Sequence, residues 1–396
     1  MRKRTKILLG VSGGLLAVLV GGAATVMSLN GPLSRAEVDQ GIEQLLRDAV
    51  EAEPGLSSAL VTVYSGSKDR LMQYAVGVEH PGSDVAVKVD SRYHSASVGK
   101  TMLAAVFGQL VDERRVGFDD PIANYVDAEL LEGLFIVDGV DHARAVTVGQ
   151  LLSHTSGAAD YFEGAVDNGN TMLEELTAHP ARVWTPRELL AFSQEGQQAV
   201  DVPGRRFAYS DTGYLLLGFA LERIEMKPYE QILEDRLFDP LGMTDSSLLT
   251  SFGADSDIIA VDLGGTDISK LGALSVDWSG GGVTTTMDDL LLFSRALYGG
   301  ELVGDDTLAE LTAFTHEMEP GIRYGKGVMQ FRFSELSPLL FSLSDVHGAV
   351  GATGTFALYD PTGDVYYIAN FGSLGYEQKA IEQLVQIRML VDRLQD

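Results

Sequence analysis

Strand-forming segments lie at the two ends of this chain and helix-forming segments lie between them, and that order restricts the available folds. Helical periodicity opens at Ser34 to Ala52, with Val38, Ile42, Leu45, Leu46 and Ala49 on one face. Two short strands are expected next, Leu60 to Tyr64 and Leu71 to Val78, joined by the turn-like Ser65-Gly66-Ser67. A helix is predicted from near Ser97, where Val98, Met102, Ala105, Val106 and Leu110 recur at helical spacing. Residues from about Phe118 to Gly272 read as short helices broken by glycine and proline. The last third begins with a helix at Thr286 to Tyr298. Strands follow at Gly327 to Phe333, Thr353 to Tyr359 and Asp364 to Phe371, and an amphipathic helix closes the chain from Gln378 to Leu394. One sheet built from both chain ends, with a helical lobe inserted, accommodates this order. The sheet lobe then takes about 35–115 and 275–396 and the helical lobe about 116–274, within one domain over 31–396.

The N-terminus carries a second signal. Met1-Arg2-Lys3-Arg4-Thr5-Lys6 is basic, and Ile7 to Leu29 contains no charge. That run exceeds the roughly 7–15 apolar residues of a cleavable signal and is about long enough to span a bilayer. Residues 1–30 are therefore expected to form a signal anchor, a single transmembrane helix with its basic end inside. Everything after about Asn30 then lies outside the cytoplasm, in the periplasm or at the cell surface, or secreted if the segment is cleaved.

Composition excludes several chemistries. There is no cysteine, so disulfides, thiolate metal sites, a cysteine nucleophile and a lipidated cysteine are all ruled out. With 56 acidic against 29 basic residues the net charge is −27, which repels nucleic-acid phosphates; no nucleic-acid partner is expected. No motif implies a cofactor or a metal site.

Three segments carry chemistry. The first, Tyr93-His94-Ser95-Ala96-Ser97-Val98-Gly99-Lys100-Thr101, places Ser-x-x-Lys at a predicted helix start. Residues three apart share a helix face, so the Ser97 hydroxyl and the Lys100 amine come within contact range. A serine hydroxyl needs a neighbouring base, and a lysine serves as one when its pKa is depressed toward neutrality. The alternative, that Gly99-Lys100-Thr101 ends a phosphate-binding loop, fails because that loop requires glycine where His94 stands. The second segment, Pro203 to Tyr214, is a polar loop leading into a helix at Leu215 to Ile224, with Tyr209 placed to relay a proton beside Ser97. Its local alternative makes Asp211 the helix N-cap and Tyr209 a packed aromatic. The third, Val346 to Phe356, is a glycine-rich strand entry where a backbone N–H from Gly351 or Ala352 could join that of Ser97 in an oxyanion hole.

These segments, in this order and spacing, resemble the serine β-lactamase and penicillin-binding-protein-like superfamily, in particular its class C and D-alanyl-D-alanine carboxypeptidase branch with related esterases. Further echoes are Thr147-Val148-Gly149-Gln150-Leu151-Leu152-Ser153-His154-Thr155-Ser156-Gly157, Tyr214-Leu215-Leu216-Leu217-Gly218 and Tyr324-Gly325-Lys326-Gly327. The resemblance covers most of the chain after about residue 40. It implies an α/β (α+β) fold, an antiparallel sheet flanked by helices, and a serine hydrolase acting on a small-molecule or peptide substrate. Ser97 and Lys100 match the family's nucleophile and base, Tyr209 its loop tyrosine, and His154 a structural position.

The chain departs from that pattern twice. Asp211 stands where the family commonly has asparagine; a carboxylate only accepts hydrogen bonds, and one near Lys100 raises the lysine pKa. Ala349 falls where a histidine or lysine commonly begins the third motif, and His347, two residues earlier, shares its face on a strand and is the candidate replacement. Both departures move weight from carboxylate-bearing substrates, D-alanyl peptides and β-lactams, toward esters or unusual peptides. A D-alanyl-D-alanine carboxypeptidase or β-lactamase is the second reading, and a non-catalytic penicillin-binding-like sensor the third.

Overall fold

The computed structural model describes residues 31–253 and 256–395. The uncharged run at 7–29 lies outside them, and among the described residues no helix is long and apolar enough to cross a membrane. The first helix, α1 (Arg35–Ala52), starts on a capping box in which Ser34 and Glu37 satisfy each other's backbone amides. It leads into β1 (Ser58–Ser65) and β2 (Arg70–Gly77). After a one-turn 3-10 helix at Ala96–Val98 comes α2 (Gly99–Asp112), and much later α3 (Asp211–Glu225) and α4 (Met287–Tyr298). The C-terminal third supplies β3 (His316–Glu319), β4 (Ile322–Tyr324), β5 (Met329–Phe331), β6 (Val346–Val350), β7 (Phe356–Asp360), β8 (Val365–Asn370) and the closing α5 (Glu377–Val391).

These eight strands form one antiparallel sheet in the order β3-β4-β5-β6-β7-β8-β1-β2, so the N-terminal hairpin is zipped onto the last strand of the chain. Val61 lies opposite Ala369 on one side and Tyr74 on the other. Because β1 is buried on both faces, its alternate residues feed two cores. Val61 and Val63 pack with Val38, Ile42 and Leu46 of α1 and Leu384 and Val385 of α5. Leu60 and Ile368 join the other core, with α2 and α4. Each fully buried aliphatic side chain there contributes roughly 1.5–3 kcal/mol. Helix α2 is apolar almost all round, and Met102 through Phe107 and Leu110 are inaccessible, so its first turn is held rigidly between sheet and helical lobe.

The strands near the site differ from expectation. The strand expected over Gly327 to Phe333 is shorter, because Gly327 turns at φ 75° against Ala104 and Phe333 opens a one-turn helix. The one expected over Thr353 to Tyr359 starts only at Phe356; a turn at 351–354 separates it from β6, whose glycine-rich sequence hides a strand. The outermost hairpin, β3–β4, has no periodic signal at all.

Candidate active site

The 3-10 turn that carries Ser97 is entered through Ala96 at φ 48°, a left-handed conformation that costs a non-glycine residue energy and is held by packing on both sides. On one side stands Gly281, where an added Cβ would lie 2.6 Å from the Ala96 carbonyl; on the other stands Gly351, where it would lie 3.0 Å from the Ser97 amide nitrogen. Ser95 N–H is tied to the Val283 carbonyl at 2.8 Å. The turn thus presents Ser97, partly exposed, above the N-terminus of α2, while Lys100 one turn on is 1% exposed.

Lys100 Nζ contacts three oxygens: Ser97 Oγ at 3.1 Å, the Gly280 carbonyl at 2.9 Å and Asp211 Oδ1 at 2.5 Å. Three donors meet three acceptors, the full capacity of an ammonium. Burial alone lowers the Lys100 pKa, but the Asp211 charge, its hydrogen bond and the more distant Asp277 outweigh it, and the net direction is upward. The resting lysine is therefore an ammonium ion. A Cβ at Gly280 would sit 3.1 Å from Asp211 Oδ1, so the close approach of this carbonyl depends on glycine.

Asp211 is not the helix cap. Ser210 caps α3, its Oγ accepting from Gly213 N–H, and this frees Asp211, at the first helical position, to turn its carboxylate to Lys100. Asp211 N–H donates to Asp160 Oδ1 at 3.0 Å. Tyr209, two residues before, donates its hydroxyl proton to Ser97 Oγ at 3.1 Å. Burial first, then the Asp211 charge, hold this phenol well above its ordinary pKa, so it stays neutral. Its ring stacks on His154 at 4.1 Å between centroids. His154 Nδ1 accepts from Ser210 N–H at 3.1 Å, which puts the ring proton on Nε2, 3.1 Å from the Tyr324 hydroxyl. His154 thus braces the tyrosine loop from below and has no contact with Ser97 in its hydrogen-bond set.

The third segment divides. Val350, Gly351, Ala352 and Thr353 line a cleft together with Ser97 and Tyr209, whereas His347 and Ala349 face the opposite side of the sheet. Ala349 is 5% exposed within the core. The His347 ring packs 4.8 Å from Tyr298 and 5.5 Å from Tyr359, and burial lowers its pKa to about 4, so it is neutral and outside the cleft. Gly351 N–H is committed to the Thr355 carbonyl at 2.7 Å, which leaves Ala352 as the next amide toward the cleft.

The cleft also brings in residues that the motifs do not mark. Glu163, Asp277, Glu319 and Glu377 line it with Asp211, and Met318, Ile322, Phe331 and Ile381 form an apolar wall between the β3–β5 edge and the first turns of α5. Burial first, then Asp211, raises the Asp277 carboxyl to about 7. His94 Nε2, buried, points at Asp277 from 3.6 Å. Gly280 was discoverable only as a glycine triplet, since it lies 180 residues from the lysine it contacts.

The chain is similar to proteins of a known family. The family described as Beta-lactamase matches residues 42–387. Among curated relatives, Penicillin-binding protein 4 of Amycolatopsis lactamdurans is 34% identical over 51% of this chain and 47% of its own. The D-alanyl-D-alanine-carboxypeptidase/endopeptidase AmpH of Escherichia coli is 25% identical over 69% of this chain and 66% of its own. The chain thus spans between about half and two thirds of these relatives' length. A crystal structure of a D-stereospecific amidohydrolase from Streptomyces sp. superposes with a TM-score of 0.71 at 26% identity, over 87% of this chain and 97% of that one.

Proposed function

Because the chain belongs to the β-lactamase family, we propose that it is a serine hydrolase cleaving an ester or amide bond through an acyl-enzyme on Ser97. The observation that carries this reading is the pair of hydrogen bonds converging on Ser97 Oγ, one from Lys100 and one from Tyr209, at the edge of an open cleft. Both bonds point toward the oxygen, so the serine's own proton must leave through a group that has first lost one. Loss of one proton from the Lys100–Tyr209 set creates the base. Ser97 Oγ then attacks the substrate carbonyl, the carbonyl π pair becomes an oxyanion facing the Ser97 and Ala352 amides, and collapse expels the leaving group with the transferred proton. Water repeats the sequence on the acyl-enzyme and regenerates Ser97.

The substrate in this reading carries no carboxylate beside the scissile bond. The cleft offers no arginine, lysine or histidine side chain among its described lining residues, and its ionisable groups are acids. This favours esters and amides over β-lactams and D-alanyl-D-alanine peptides. Intact-mass analysis after exposure to a fluorophosphonate, a penicillin and a p-nitrophenyl ester tests it. A single adduct on Ser97 from the fluorophosphonate and turnover of the ester are expected. Absence of both points to a sensor, and a stable penicillin adduct to the carboxypeptidase reading.

A further inference from the structure

His94 takes no part in the proton transfers at Ser97, yet it holds the turn that presents this serine. It lies in the short strand Tyr93–His94, is 1% exposed, and accepts the Ala96 N–H on its Nδ1 at 3.3 Å. That amide belongs to the residue whose φ of 48° sets the direction of Ser97. Burial lowers the His94 pKa to about 4, so the ring is neutral; with Nδ1 accepting, its one proton sits on Nε2. This N–H is buried with no hydrogen-bond partner among the described residues, and an unfilled buried donor is costly. The Asp277 carboxylate stands 3.6 Å from it, just outside hydrogen-bond range. The Asp277 side chain is 24% exposed and lines the cleft together with Ser97, while its Oδ2 faces His94. It also precedes the one-turn helix Trp278–Gly281, in which the Gly280 carbonyl accepts from Lys100 at 2.9 Å and Gly281 stands against Ala96. Hydrogen bonds of active sites are commonly long before substrate binds and tighten in the complex.

We propose that Asp277 is a positioning residue for the nucleophile: when substrate fills the cleft, its carboxylate closes onto His94 Nε2–H and through that ring fixes the Ala96 amide and the aim of Ser97. This deepens the serine-hydrolase reading and rests on it for the identity of the site. The contacts run Asp277–His94–Ala96–Ser97, and every link but the first is already made. A hydrogen bond on Nε2 stops the ring from pivoting and polarises it, which strengthens the bond that Nδ1 accepts from Ala96. The contact requires an acceptor oxygen and not a charge. The charge acts separately: burial lowers the Lys100 pKa, and Asp211 with Asp277 behind it raises it.

The test measures the rate of Ser97 labelling by a fluorophosphonate, and kcat and KM on a neutral p-nitrophenyl ester, with the full chain. Each value is the limiting one of a complete pH profile, so that the effect of the Asp277 charge on Lys100 does not enter. Asp277→Ala should slow labelling and lower kcat by about tenfold or more, the scale of one charge-assisted hydrogen bond, with KM little changed. Asp277→Asn, which supplies an acceptor oxygen without the charge, should recover most of that loss. His94→Asn keeps an acceptor where Nδ1 stands but does not reach Asp277. It should be as slow as Asp277→Ala, and combining the two should cost nothing further. Circular dichroism checks folding, and either single variant carries the test if the other does not fold. Wild-type rates in Asp277→Ala or His94→Asn, no recovery in Asp277→Asn, or additive losses in the double variant overturn the proposal. Absence of labelling in the wild-type protein removes the hydrolase reading itself, whereas wild-type labelling with any of those three results removes only this inference.

Discussion

Replacing Asp211 by asparagine removes the charge that keeps Lys100 protonated while leaving an oxygen of similar size beside it. The two groups are 2.5 Å apart and almost fully buried. At that separation and an effective dielectric near 20, their attraction is about 6–7 kcal/mol. The burial cost of the ammonium is present in both proteins and cancels from the difference. Even if relaxation and water entry consume half of the attraction, about 3 kcal/mol remains in favour of the ammonium. The ascending limb of kcat/KM against pH should therefore move toward acid in Asp211→Asn, and the variant should outpace the wild type at pH 7. The assay is the pH–rate profile on a neutral p-nitrophenyl ester, which carries no titrating group of its own. Stability carries the same signature with a definite sign. In the wild type the Lys100 pKa is raised, so its contribution is complete below the unfolded lysine value and fades as pH rises through the folded one. In the variant the buried lysine has lost its counter-ion and its pKa is depressed, so the Tm deficit relative to wild type should widen as pH falls. An unmoved or alkaline-shifted limb would falsify this account of the lysine. A variant slower at every pH would instead make the Asp211 carboxylate itself the proton acceptor.

Ser97→Ala should abolish fluorophosphonate labelling and turnover with the thermal melt nearly unchanged, because the side chain is partly exposed. Gly281→Ala should cost about 1–3 kcal/mol through overpacking and should slow labelling, since its methyl would meet the Ala96 carbonyl that sets the Ser97 turn. Tyr209→Phe should lower kcat by roughly two to four orders of magnitude with little change in KM, as expected for a lost proton-transfer partner. Ala349→Lys should destabilise the fold and leave substrate preference alone, because the side chain enters the core and not the cleft. Protease added to intact spheroplasts should digest the domain if the uncharged run at 7–29 anchors it outside.

What could be read from the sequence was what depends on short spacing. Ser97 and Lys100 are three residues apart, and a helix start is enough to bring them together. The two-ended sheet was legible because β1 and β8 carry dense apolar runs whose only good burial is against each other and two helices. A cap at Asp211 stood as the local alternative because serine and aspartate cap equally well, and only packing decides that Ser210 takes the amide while the carboxylate faces Lys100. His347 shares a face with Ala349, as strand alternation requires, but alternation does not say which face looks into the cleft. Val350 lines it, so the odd-numbered residues of strand β6, His347 and Ala349, look away. Gly280, Glu163 and Glu377 had no local signal, because their meaning arises only when distant segments meet.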